Sequence, residues 1–142
     1  MNIEGIVVNE GRTQLINYLR NSNATPQDDY KFYIKSFQLY KNLSGLASQA
    51  TTFVDLQPNV LEGVPVTLQH LVSARLNVAG NKLNIQCVVD NAWSSDTDDI
   101  TGIGLVFKDA LGVEALFAYA VFTNPFNKVA NSNLTFNFKI QF

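Results

Sequence analysis

The sequence predicts a mainly β protein of α+β type: an antiparallel β-sandwich-like sheet with one N-terminal helix. Three observations carry that expectation. Leu134, Phe136, Phe138, Ile140 and Phe142 alternate with Thr135, Asn137, Lys139 and Gln141, the period of two imposed by a sheet with one buried and one wet face. Leu68, His70, Val72, Ala74, Leu76 and Val78 form one face that Leu83, Ile85, Cys87 and Val89 answer across a short Ala79-Gly80-Asn81 turn, which reads as a hairpin. Helical spacing, by contrast, is clear only near the start, at Leu15, Ile16 and Leu19.

In chain order, Ile3 to Val8 is a short apolar run that reads as a first strand or an extended arm. Asn9 offers an N-cap and Glu10 an anion in the first turn, so a helix follows to about Asn21. Asn21 to Asp29, with Pro26, breaks it. Lys31 to Lys41 reads as a strand, but Phe32 and Ile34 share one parity while Tyr33, Phe37 and Leu39 share the other, so it needs two covered faces or a bulge. Leu43 to Thr51 is a loop or a helical turn, and Thr52 to Leu56 a short edge strand stopped by Pro58. After the hairpin, Asp90 to Asp99 is a polar loop. Ile100 to Lys108 is a strand, Asp109 to Gly112 a turn and Val113 to Thr123 the return strand, with Asn124-Pro125-Phe126-Asn127 breaking the run before the last strand. All of this fits one domain, residues 1–142, divided into a strand or arm plus helix (1–30), β hairpins and loops (31–99) and a closing β module (100–142).

Composition narrows the function. Charged residues make up 15% of the chain and hydrophobic residues 46%, so uncharged polar groups supply the wet surface, which suits a protein packed among neighbours. The net charge of -2 and the scatter of ten Lys and Arg residues predict no nucleic-acid partner, because neutralising phosphates takes clustered cations. One Cys and one His exclude an intrachain disulfide, a Cys-based zinc site and paired-histidine metal motifs. No secretory signal opens the chain, and Val113 to Phe122 is about half the length needed to cross a bilayer, so the sequence predicts a soluble product with no membrane partner.

Chemistry-bearing constellations are sparse. Asp96, Asp98 and Asp99 beside Asp90 form an acidic cluster, but an EF-hand started at Asp96 would place Thr101 and Phe107 where Gly and Glu are required; the cluster reads as a solvated loop, with no metal. His70, in phase with an apolar face, reads as a core or interface histidine, and Cys87 as a small buried hydrophobe. Gly102 and Gly104 mark a bulge or a close backbone approach rather than a phosphate loop. Tyr30, Tyr33 and Tyr40 read as core rather than as a stacking platform. Trp93, the single tryptophan, and Phe126 are each either core plugs or interface anchors. The chain therefore reads as a non-enzyme, with no catalytic residue and no cofactor.

The order of elements also carries a resemblance. Ile103-Gly104-Leu105 closing an apolar strand, Asp109 to Gly112 as a turn, Leu116-Phe117-Ala118, Asn124-Pro125 and the alternating Leu134 to Phe142 resemble the closing module of phage tail-fibre and tail-collar N-terminal attachment domains. Val7 to Arg20 is similar to that family's strand end, N-x-G turn and helix, and Lys31 to Tyr40 to the strand after it; Asn42 to Gly45 departs from its usual Gly/Asp-rich turn. The resemblance implies a virion structural protein of a tailed bacteriophage, made in the host bacterial cytoplasm: a small tail, baseplate or collar component that anchors fibres or joins rings. A stop at Phe142 implies the attachment module without shaft or tip. It further implies other tail, baseplate and fibre proteins as partners and a threefold or sixfold homo-oligomer, with Trp93, Asn124, Pro125, Phe126 and Phe142 as candidate interface residues. Two alternatives are a carbohydrate or receptor-binding β-sandwich displaying Trp93 and Phe126, and a capsid decoration or head-fibre protein. A small hydrolase built on Asp96, Asp98 and Asp99 is the remaining reading.

Overall fold

A computed structural model describes residues 1–21, 33–61, 76–79, 82–108 and 112–141. Among these, seven strands form one sheet: β1 (Asn2–Val7), β2 (Tyr33–Tyr40), β3 (Leu76–Ala79), β4 (Lys82–Val89), β5 (Ile100–Lys108), β6 (Glu114–Phe126) and β7 (Leu134–Gln141), in the order β2-β5-β6-β1-β7-β4-β3. Two helices accompany them, α1 (Asn9–Asn21) and the single turn α2 (Phe53–Leu56), which runs into a 3-10 turn at Gln57–Asn59. The protein is thus mainly β with a helix near its N-terminus.

The antiparallel expectation holds for every described pairing except one. β1 runs parallel to β7, with Ile3 opposite Phe138 and Gly5 opposite Ile140. β1 is also neither an arm nor an edge but the middle of the sheet. Its residues 2–5 pair with β7 and its residues 6–7 with β6, so the ladder changes partners within one strand. A strand that hands over in this way turns a corner. The two halves, β2-β5-β6 and β7-β4-β3, curl toward each other, and one core cluster draws on both: Phe37, Leu39, Ile103, Leu105 and Phe107 from one side, Ile85, Cys87, Phe136, Phe138 and Ile140 from the other. The alternation read in β7 is the cause, since Phe136, Phe138 and Ile140 are fully buried, each contributing roughly 1.5–3 kcal/mol of transfer free energy.

The mixed parity of β2 is met by both devices at once. Its register with β5 shifts between Ile34 and Ser36, a bulge that puts Ile34, Phe37 and Leu39 on the core face. The opposite face is covered as well: Tyr40 is buried with Val8, Leu56, Leu116 and Tyr119 beneath the segment that follows β2. Gly104 makes room for that ring, because a Cβ there would lie 2.2 Å from the Tyr40 hydroxyl oxygen. Both sequence readings of the glycine pair are realised at Gly102, where the β5–β6 register shifts next to Ile100 and a Cβ would lie 2.6 Å from the Ala120 carbonyl oxygen.

Three local expectations are corrected. Thr52 to Leu56 is not an edge strand: Thr52 caps α2 by accepting from the Asp55 backbone N–H, while the Asp55 carboxylate accepts from the Thr52 N–H, a capping box. Asn9 is not the N-cap of α1, since the Val8 carbonyl takes the first helical bond, from the Arg12 N–H at 3.0 Å. And β6 does not stop at Thr123. It runs to Phe126 because its register against β5 jumps from Val121↔Gly102 to Phe126↔Ile100, a bulge that accommodates Pro125 without a ladder bond. Gly11 lets α1 lie close on β6, where a Cβ would meet the Phe117 carbonyl oxygen at 2.4 Å.

The β3–β4 hairpin is present, pairing Leu76 with Ile85 and Ala79 with Lys82. Tyr30, residues 68–74 with His70, the Gly80-Asn81 turn, residues 109–111 and Phe142 lie outside the described residues. Among the described residues no helix is long and apolar enough to cross a membrane.

Candidate functional site

The start of β5, the ends of β2, β4 and β6 and the start of β7 all lie at one end of the sheet, so the connections 41–61, 90–99 and 127–133 gather there. The polar loop after β4 is anchored by Lys128. That residue is only 3% exposed, and its ammonium donates to the carbonyls of Asn91, Trp93 and Val129. Its backbone N–H donates to Ser95 Oγ at 2.8 Å and its carbonyl accepts from the Ser95 N–H at 2.9 Å. Asn127 Nδ2 adds a bond to the Asp98 carbonyl at 2.7 Å. A buried ammonium is tolerable only when its donors are met, and here backbone carbonyls meet them.

The anchored loop forms one wall of an open cleft of about 430 Å³. Trp93, Ser94, Asp96 and Asp98 line that side; Lys41, Gln57, Pro58, Val60 and Leu61 line the other. Lys41 Nζ and Asp98 Oδ2 bridge the rim at 3.5 Å. Asp96 Oδ1 accepts from Ser94 Oγ at 3.3 Å, and Asp96 holds a left-handed backbone at φ 51°. The acidic run is therefore dispersed: Asp90 Oδ1 accepts from the Ala92 N–H, Asp96 pairs with Ser94 and Asp98 with Lys41. Among the described residues no three His, Cys, Asp or Glu side chains gather to hold a metal ion.

Of the aromatic candidates, Trp93 is partly buried, packing on the core from the cleft wall. Phe126 stacks 6.1 Å from Phe122 and lies 6.3 Å from Phe136, again partly buried, while Asn124 and Pro125 are exposed beside it. Cys87 is buried, and desolvation pushes its thiol up to about 12. Burial likewise raises Tyr40 above the usual phenol range, with the neighbouring Tyr119 adding to the effect.

Two polar side chains absent from the sequence reading of the site tie elements together elsewhere. Glu10 Oε2 accepts from the backbone N–H groups of Phe53 and Leu116, both at 2.9 Å, joining α1, α2 and β6. The Tyr119 hydroxyl accepts from the Ser48 N–H at 2.7 Å and shares a bond with Thr51 Oγ1. Nothing local marks Lys128 or Gln57 in the sequence, because their roles depend on carbonyls and walls delivered by distant segments. No protein-family model, curated protein or solved structure matches the chain.

Proposed function

We propose that the protein is a structural component of a tailed bacteriophage virion, a small tail, baseplate or collar protein that anchors fibres or joins ring components, with the two halves of its curled sheet acting as the layers of a sandwich. The resemblance of its closing module supplies the phage assignment. One structural observation favours a role built on contacts: large apolar side chains stand in solvent on the segment that covers the outer face of the sheet, Leu46 at 97% and Val54 at 73% exposure. Buried against a neighbour, each would contribute roughly 1.5–3 kcal/mol. Repetition around a tail axis multiplies such modest contacts.

Sedimentation of the purified chain over a wide concentration range, with localisation in purified particles by electron microscopy, tests the proposal. The expected result is a closed ring or trimer that Leu46→Asp and Val54→Asp weaken about tenfold or more each. A chain that stays monomeric at every concentration and is absent from the particles overturns it.

A further inference from the structure

The cleft at the loop end of the sheet is not needed for an assembly role, and its construction points to a ligand. Its volume, about 430 Å³, falls within the range of small-molecule sites. Its walls are mainly polar and carry donors and acceptors side by side: the Lys41 ammonium, the carboxylates of Asp96 and Asp98, and the amide oxygen of Gln57, whose nitrogen already donates to the Phe53 carbonyl and to Gln38 Oε1. That mixture disfavours other ligand classes in turn. An anion would meet two carboxylates. A bare cation would find them held apart by separate partners, Ser94 and Lys41. An apolar molecule would desolvate charged groups without replacing their bonds. A polyhydroxylated neutral molecule suits them, because each hydroxyl donates and accepts at once and so meets ammonium, amide and carboxylate alike. Such a molecule also carries C–H faces, and Trp93 supplies an aromatic surface in the wall.

The wall is also held in place before any ligand arrives. Lys128, buried behind it, fixes the carbonyls of Asn91 and Trp93, and Ser95 is bonded in both directions to the Lys128 backbone. A loop positioned by a buried amine loses little freedom on binding, which is how a rigid support raises affinity.

We infer that this cleft binds a saccharide, with Trp93 as its stacking surface and Lys41, Gln57, Asp96 and Asp98 as hydrogen-bonding partners. Trp93 is the only tryptophan of the chain, so its fluorescence reports this wall and no other. The test is a glycan array followed by fluorescence titration of the full chain with maltotriose, cellotriose, chitotriose and any array hit. The expected result is a saturable spectral change with at least one glycan. Lys41→Met and Asp98→Ala should each weaken it about tenfold or more while leaving the thermal midpoint close to that of the parent, since an exposed pair contributes little to stability. Trp93→Leu, followed by calorimetry, should abolish binding; if that variant fails to fold, the two rim variants still decide. No array hit and no saturable change up to about 10 mM, a bound at which affinity is negligible, overturns the inference. So does a change that both rim variants leave untouched.

Discussion

Lys128 shows how much a single side chain can organise. Its ammonium serves three backbone carbonyls from two loops, and Lys128→Met leaves all three without that donor. The expected cost is about 3 kcal/mol, read as a fall in the urea midpoint at constant slope, with hydrogen exchange rising first in residues 91–98. A midpoint within error of the parent would mean that water replaces the amine at no cost. Gly104 is the counterpart in which an absent atom matters. Gly104→Ala drives a methyl into the buried Tyr40 ring and should cost about 1–3 kcal/mol by overpacking. Tyr40→Leu made in the Gly104→Ala background should cost less than in the parent, a coupling that a double-mutant cycle measures directly. Neither interaction is visible in sequence. Lys128 is one of ten scattered cations, and Gly104 is legible only as a place where something comes close.

At the scale of elements, the sequence was most informative where period and burial coincide. The bounds read for β5 agree with those observed, and the apolar parity of β4 and β7 is the buried parity. Thr52 to Leu56 misled because five residues are too few for periodicity to separate a helical turn from a strand; the decisive signal was the Thr52-x-x-Asp55 spacing, which caps a helix. Pro125 misled in the other direction, since proline ends a regular strand but sits comfortably in a bulge. The buried side of β4 has a measurable consequence through Cys87. Its thiol ionises near 9.0 when exposed and near 12 in the fold, so the unfolded chain loses the proton first. The stability tied to this group is intact below pH 9 and is lost as pH rises toward 12. Tyr40 acts in the same direction. The urea midpoint should fall on raising the pH from 9 to 11, the window set by the Cys87 shift, and Cys87→Ala should make that fall shallower. A thiol reagent at pH 8, below the onset of that window, should label the chain only after denaturation, and fast labelling of the native protein would contradict the buried placement.

For the whole molecule, the decisive feature is that the two halves of the sheet share β1. Strand pairing partners are not written in local sequence, so a parallel neighbour 135 residues away could not be read from Ile3 to Val8; the apolar run announces a strand and nothing about whom it joins. Because Ile3 and Val7 enter the common core and the ladder passes from β7 to β6 through this strand, removing residues 2–7 should do more than trim an end. The expected product keeps much of its far-UV signal, loses near-UV dichroism, binds a hydrophobic dye and unfolds without a sharp transition. A truncated chain with the parent's cooperative melt would show that the halves cohere without β1.

The same join sets an order of events at the ribosome. β1 precedes β7 in the chain, so the parallel pair can close only when translation has passed residue 141. At roughly 5–20 residues per second the nascent chain spends several seconds with residues 2–5 of β1 lacking their β7 partner. Holding factors that grip extended apolar segments have that long to act before β7 arrives to fix the register of β1.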